Sequence, residues 1–355
     1  MILSLATGRT TMRNACSIFI ISIAAISCLD AARAETSLSG TGSAFAAAIY
    51  TRWAQEAKPS LGVQVNYQAT GSGVGQKQAA AGTVDFGASD VAMEAKRIEE
   101  ADLLQFPTVV GGLDVIVNIP GVGPNALKLD GPVIADIYLG AITRWNDPRI
   151  VALNHGLALP DLLIIPIHHS NASGTTFALS RYLSKVSEAW KTRMGVALTL
   201  EWPSGVGVHG SAGTAGEVPR TLGSIGYAEN SYVTTNHLAP AKLLNRAGKY
   251  VAPSEESFAA AAANADWAAA DNFAVDLTNM PGEKSWPLVT ATFVLAPKAP
   301  AKAERTAALL KFFDWAFAHG DKAAKALQYV PLPHAVKDQI RAAWRQKAAF
   351  RSARD

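Results

Sequence analysis

The chain has 355 residues, of which 49% are hydrophobic and 17% charged, with a formal net charge of +3. Such a length exceeds one small core and predicts two domains, and the apolar content excludes disordered blocks. The first 34 residues carry Arg9, Arg13 and Arg33 against Asp30, which leaves about +1 for the rest and excludes a nucleic-acid or membrane-surface binder.

The N-terminus reads as a targeting segment. Arg9 and Arg13 precede the apolar run 18–26, and Ala32-Arg33-Ala34 fits a small-x-small cleavage site, so residues 1–34 are expected to be a signal peptide and Glu35 the mature start. Met12 is an alternative first residue, and the apolar run is too short to remain as a membrane span. Both cysteines, Cys16 and Cys28, lie inside this segment, and Ala-Ile-Ser before Cys28 is a poor lipidation signal. The mature chain then has no disulfide or thiolate metal site. Export to the periplasm is the expected localisation.

The first element follows a loop, Ser39-Gly40-Thr41-Gly42-Ser43-Ala44-Phe45; residues 46–57 then place Phe45, Ile49, Trp53 and Ala57 on one helix face. Residues 63–67 alternate as a strand, and a second loop, Ala69-Thr70-Gly71-Ser72-Gly73-Val74-Gly75, runs into a short helix through Lys77 to Ala81. The next strand, 84–88, ends at Ser89-Asp90. This strand–loop–helix–strand order predicts parallel β with crossover helices, whose ligands sit beyond the carboxyl ends of the strands. Residues 108–118 read as a long apolar strand interrupted by Gly111-Gly112, a candidate crossing between domains. Helices are expected at 136–139 and 178–186, with strands at 162–167 and 224–227. An alanine-rich helix at 257–270 leads to a strand at 290–295, a second candidate crossing. Amphipathic helices at 302–319 and 335–348 are expected to bury Leu309, Leu310, Phe313, Trp315 and Trp344. A chain that leaves its first domain and returns suggests two lobes around a cleft.

A third loop, Ser170-Asn171-Ala172-Ser173-Gly174-Thr175-Thr176, also enters a helix. Helix N-termini carry unsatisfied N–H groups and about half a positive charge, and glycines let backbone approach a ligand, so three such ends point to an oxyanion site. Any one of them read alone is an ordinary turn or N-cap. Asp90, otherwise a strand-end carboxylate, would repel an anion unless the ligand donates a proton to it. Hydrogen phosphate can do so and sulfate cannot, so this carboxylate would both hold the one and reject the other. Ser72 and Ser173 lack a Gly-x-Ser-x-Gly elbow, which argues against a hydrolase. His168 and His169 adjoin in a strand and point to opposite faces, so they do not share a metal, and no Walker sequence is present.

These residues resemble the periplasmic phosphate-binding proteins of high-affinity phosphate ABC importers, the PstS family, over essentially the whole mature chain. The likeness is carried by Val65-Asn66-Tyr67-Gln68, Val84-Asp85-Phe86-Gly87-Ala88-Ser89-Asp90, Gln105-Phe106-Pro107-Thr108-Val109, Asp136-Ile137-Tyr138-Leu139-Gly140, Lys311-Phe312-Phe313-Asp314-Trp315-Ala316, Ser173-Gly174-Thr175 and Ile225-Gly226-Tyr227. The resemblance implies an α/β, two-lobed (type II) periplasmic binding fold with a hinge: residues 35–111 plus 292–355 as one lobe and 112–291 as the other, each a mixed sheet flanked by helices. It implies a monomer without cofactor or enzymatic activity that captures inorganic phosphate for a membrane ABC permease. Ligand contacts carried over are Phe45 (backbone), Ser72, Asp90, Ser173, Gly174 and Thr175. Three family positions differ: a threonine is Ala44, an arginine is His169 and its partner aspartate is Asn171. A further acid-bearing stretch is Gly210-Ser211-Ala212-Gly213, without its carboxylate. Joint loss of an Arg/Asp pair leaves the site's formal charge unchanged but removes a bidentate guanidinium. One charge-assisted hydrogen bond is worth about 1.5–3 kcal/mol, or about one to two decades of affinity. Two expectations follow. The site binds phosphate more weakly, with a pH dependence if His169 titrates; or it is retuned to another oxyanion, a phosphonate or phosphate ester, or a small organic acid.

Overall fold

The computed structural model describes residues 36–267, 269–298 and 303–348. The expected signal peptide, with both cysteines, lies outside the described residues. Among those described, no helix is long and apolar enough to cross a membrane.

The first part of the chain runs β1 (Thr36–Gly42), α1 (Ala47–Leu61), β2 (Val63–Ala69), α2 (Ser72–Ala80), β3 (Phe86–Ser89), α3 (Ala95–Glu100) and β4 (Leu103–Val117). β1 pairs in parallel with both β2 and β3, as the alternation of strands and helices predicts. Consequently Ser43, Thr70 and Asp90 all emerge from the same edge of the sheet. The face of α1 that carries Ile49, Trp53 and Ala57 is buried as expected, and Tyr50 joins it. Tyr50 meets Phe313 edge-on at 5.5 Å, and Phe106 meets Trp344 at 4.9 Å, which ties the N-terminal helix to the C-terminal ones.

The middle of the chain comprises β5 (Lys128–Leu129), α4 (Gly131–Tyr138), α5 (Pro148–Leu153), β6 (Ile165–His169), α6 (Gly174–Val186), α7 (Glu188–Arg193), β7 (Val206–Val208), α8 (Gly210–Glu217), β8 (Ser224–Glu229), α9 (Asn230–Thr235), β9 (Ala239–Pro240), β10 (Lys242–Leu244), β11 (Tyr250–Val251) and α10 (Glu255–Ala263). The return consists of β12 (Val289–Pro297), α11 (Ala303–His319), α12 (Asp321–Ala326), β13 (Val330–Pro331) and α13 (His334–Ala348). The main sheet has the order β2-β1-β3-β12-β4-β8-β6-β7, with β9 and β13 also on β4; β11-β10-β5 form a small separate sheet. β6 runs parallel to β7 and β8, so His169 and Glu229 likewise end neighbouring strands at one edge.

β4 joins the two halves. It is one continuous, fully buried strand through Gly111-Gly112, a correction to the expected interruption. What changes there is the partner: β12 pairs as far as Gly112, and β8 pairs from Leu113 onward. The glycines are required by close packing. A Cβ at Gly111 would fall 2.5 Å from the Phe45 ring, and one at Gly112 would fall 2.1 Å from the Phe258 ring.

Three further expectations are corrected. The alanine-rich helix stops at Ala263 instead of 270, because the Asn264 side chain donates back to Ala260 O and Trp267 turns into the core. The strand expected at 162–167 begins at Ile165, after Leu163 makes an isolated bridge to Arg144. Trp315 is only partly buried, its ring inclined against that of His319 one turn on in α11.

Candidate functional site

Asp90 sits one residue beyond β3 and is 5% exposed. Its Oδ1 accepts hydrogen bonds from Ser43 Oγ (2.5 Å) and Thr292 Oγ1 (2.7 Å), and its Oδ2 accepts one from Ser72 Oγ (3.2 Å). The Asp90 N–H donates to Ser72 Oγ, and Thr290 Oγ1 donates to the Asp90 carbonyl. Two loops and strand β12 therefore converge on one carboxylate. Burial pushes Asp90 up to about 6, against the three hydroxyl donors that pull it down.

The third loop closes over this group. A Cβ at Gly174 would lie 2.4 Å from Ser72 Oγ and 2.7 Å from Asp90 Oδ2. The Gly73 N–H donates to Ala172 O at 3.3 Å, so the second and third loops touch directly. Ser173 caps α6 by accepting from the Thr176 N–H. Its hydroxyl also lies 2.7 Å from His169 Nδ1 and 2.9 Å from Thr175 Oγ1. Thr175 Oγ1 in turn donates to Glu229 Oε1 at 3.2 Å.

The expected residues are not equivalent in this arrangement. Ser72, Asp90, His169, Ser173, Gly174 and Thr175 come together, all buried. Phe45 packs its ring against Tyr329 and accepts the Tyr329 hydroxyl on its carbonyl. Ala44 is partly exposed and contributes only backbone, its carbonyl accepting from Ala47 N–H. Asn171 accepts the Gly210 N–H on Oδ1 at 3.0 Å, so it braces the third loop against α8. The two histidines do diverge: His168 stacks on Trp202 at 4.8 Å, whereas His169 packs against Tyr227 at 4.6 Å.

Four participants escape the sequence reading: Ser43, Thr292, Tyr227 and Glu229. The Tyr227 hydroxyl accepts the His169 N–H and pairs with Thr176 Oγ1. Glu229, 1% exposed, ends β8 as Asp90 follows β3. A carboxylate at the end of a short apolar strand was the legible signal for it. Thr292 is a polar residue inside the apolar β12. Burial pushes Glu229 up to about 7, with the nearby Asp90 carboxylate adding to it. Burial pushes His169 down to about 3, so its imidazole is neutral. Among the described residues no Lys or Arg side chain hydrogen-bonds to Asp90 or Glu229, and no cluster of metal-binding side chains is present.

These shifts fix a pH dependence of stability. Asp90 and Glu229 keep a proton in the folded state that the unfolded chain has already released. Their contribution is full at acid pH and is lost as pH rises through about 6 to 7. His169 acts oppositely: its contribution is present above the ordinary histidine range and is lost as pH falls toward about 3. Between pH ~5 and ~8 the two carboxylates outweigh the one histidine, and the ligand-free protein is expected to lose about 2 kcal/mol. Urea unfolding at the two pH values measures this; equal midpoints would contradict it.

The geometry thus offers a buried carboxylate acceptor encircled by hydroxyl and backbone donors from two halves of a sheet. The PBP superfamily domain matches residues 30–319. The chain is 48% identical over 308 residues to the phosphate-binding protein PstS of Pasteurella multocida, covering 87% of this chain and 90% of that one. It is 46% identical over 309 residues to PstS of Haemophilus influenzae, with coverage of 87% and 92%. The chain belongs to the PstS family of phosphate-binding proteins. PstS proteins bind and deliver a solute and are not enzymes, so the contact between Ser173 and His169 is not a nucleophile–base pair at work. The fold agrees: the phosphate-binding protein from Stenotrophomonas maltophilia superposes with a TM-score of 0.66 at 20% identity, over 87% of this chain and 94% of that one.

Proposed function

We propose that this PstS-family chain captures inorganic phosphate in the periplasm and presents it, as a monomer, to a membrane ABC permease. The observation that carries this reading is the Asp90 carboxylate, buried opposite Gly174 among Ser43, Ser72 and Thr292. An acceptor in that position rewards an anion that brings its own proton and penalises one that does not. The backbone N–H groups opening α6 supply donors to the remaining oxygens, beside the hydroxyls of Ser173 and Thr175. The positions of His169 and Asn171 support a site that works without a guanidinium.

In this reading the mature chain forms lobes of residues 35–111 plus 292–355 and 112–291, a division supported by the change of β4's partner from β12 to β8 after Gly112. In this reading the lobes close on the ligand, since Asp90 and Ser72 come from one and Ser173 to Thr175 from the other. Calorimetric titration with phosphate is expected to show saturable binding at one site that excess sulfate does not displace. Absence of heat and of competition at both about pH 5.5 and about pH 8 would sink the reading.

A substituted phosphate is the second reading, and one observation favours it. A cavity of about 620 Å³ adjoins Asp90 on the side lined by Gln76, Met93, Arg97, Arg181 and Thr290, large enough for an organic substituent. None of Ser72, Ser173, Gly174 or Thr175 lines it, which leaves the inorganic ion as the preferred ligand. Tighter binding of an alkyl phosphonate than of phosphate would reverse that preference.

A further inference from the structure

The hydroxyls of Ser173 and Thr175 form an unbroken chain between two buried groups that each keep one atom without a partner. At one end His169 Nδ1 lies 2.7 Å from Ser173 Oγ, while its Nε2 is buried and unpartnered. At the other end Glu229 Oε1 accepts from Thr175 Oγ1, while Oε2 is buried and unpartnered. Each hydroxyl has one proton to donate, so the direction of the whole chain is set by its ends. With Glu229 ionised, Thr175 must donate to it, Ser173 to Thr175, and His169 Nδ1–H to Ser173. Nε2 is then a bare lone pair, and both hydroxyl protons point away from an incoming anion.

Resting on the phosphate reading, we infer that Glu229 is the proton switch of this site: phosphate binds with uptake of one proton that reaches Glu229 through Ser173 and Thr175 and leaves His169 Nε2–H as a donor to the ligand. The proton count balances. One proton arrives at Nε2; the Nδ1 proton moves to Ser173 Oγ, the Ser173 proton moves to Thr175 Oγ1, and the Thr175 proton moves to Glu229 Oε1. No group is left charged: the carboxylate is neutralised, and the imidazole has exchanged one neutral tautomer for the other. A neutral donor and a discharged acid thereby serve where an arginine would have supplied a cation.

The surroundings suit this role. Asp90 faces Glu229 from the end of β3, Ser211 from α8, Tyr232 from α9, Tyr329 from the segment before β13, and Tyr227 from β8 itself. The tyrosines stay protonated, so Asp90 is the group that shares the charge. His168 and His209 lie near His169 and disfavour its imidazolium, which leaves tautomer exchange as its response. The elevated Glu229, at about 7, places the switch in the neutral range.

Glu229→Gln tests the inference, because an amide donating to Thr175 holds the chain in its protonated direction permanently. Phosphate affinity is measured by calorimetry from about pH 5.5 to about pH 9 in buffers of different ionisation enthalpy, for wild type and E229Q. The ligand's own titration is common to both proteins and cancels in the comparison. Wild type is expected to take up about one more proton than E229Q, and its affinity to fall by up to about tenfold per pH unit above neutral relative to the variant. In the wild type without ligand, ¹⁵N shifts of His169 are expected to change from Nδ1–H at alkaline pH to Nε2–H at acid pH. Equal proton uptake in the two proteins, or one unchanging His169 tautomer, would overturn the switch while leaving phosphate capture standing. No phosphate binding by wild type at any pH would overturn both.

Discussion

Gly174→Ala is expected to weaken phosphate binding by about tenfold to a hundredfold while leaving the fold intact. The added methyl would sit 2.4 Å from Ser72 Oγ and 2.7 Å from both Cβ and Oδ2 of Asp90. Neither neighbour can swing aside cheaply. Asp90 is fixed by Ser43 and Thr292, and Ser72 is committed to both the backbone N–H and the carboxylate of Asp90. The N-terminus of α6 must therefore draw back from the end of β3, which separates the donors of the third loop from the acceptor. Overpacking of this kind costs about 1–3 kcal/mol, and here it falls on the closed arrangement of the site. Titration with phosphate, alongside an unchanged circular dichroism spectrum, measures the effect. Wild-type affinity in this variant would mean that phosphate does not bind between Asp90 and Gly174.

Arg341→Ala should cost about 3–5 kcal/mol of stability and leave phosphate affinity unchanged. Arg341 on α13 donates through Nε to Asp314 Oδ1 on α11 at 2.6 Å, and the two side chains are only 5% and 8% exposed. Removing the cation takes the charged donor from a carboxylate held in the packing of the C-terminal helices, and Asp338, which Arg341 Nη1 holds at 2.9 Å, loses its partner cation as well. Breaking a buried pair from one side is therefore far more damaging than losing a surface bridge such as Arg52–Glu56. The double variant Asp314→Leu with Arg341→Met should recover most of the loss, because two apolar groups carry no desolvation cost there. Thermal unfolding of the three proteins measures both effects; a single variant as stable as wild type would contradict the argument.

Much of the fold was legible because its signals are local. Residues 46–57 and 63–67 declare their elements through apolar spacing, and the parallel order follows from strands alternating with helices. Where the reading failed, a side chain acts at a distance. The alanine run beyond Ala263 has helical propensity throughout, but burial of Trp267 and the return bond from Asn264 decide its end. The glycine pair in β4 marks the join between halves, yet the reason for glycine is the approach of Phe45 and Phe258, which no local pattern reveals.

The site divides along the same line. Asp90 and the Ser173-Gly174-Thr175 loop stand out as a strand-end acid and a helix-opening turn. Thr292 reaches Asp90 from 202 residues away, and Glu229 reaches Thr175 from 54. Their roles exist only once β12 lies beside β3 and β8 beside β6. His169, where the family resemblance led one to expect an arginine, was named from the sequence. What stands near His169, a hydroxyl chain ending on a buried acid, was not.

The most direct test is a crystal structure of the protein grown with phosphate. The expected result is one phosphate enclosed between Asp90 and the start of α6, with an oxygen within hydrogen-bond distance of the Asp90 carboxylate and others on Ser72, Ser173, Thr175 and the Gly174 N–H. Phosphate seated elsewhere, or a closed site from which Asp90 is absent, would contradict the account.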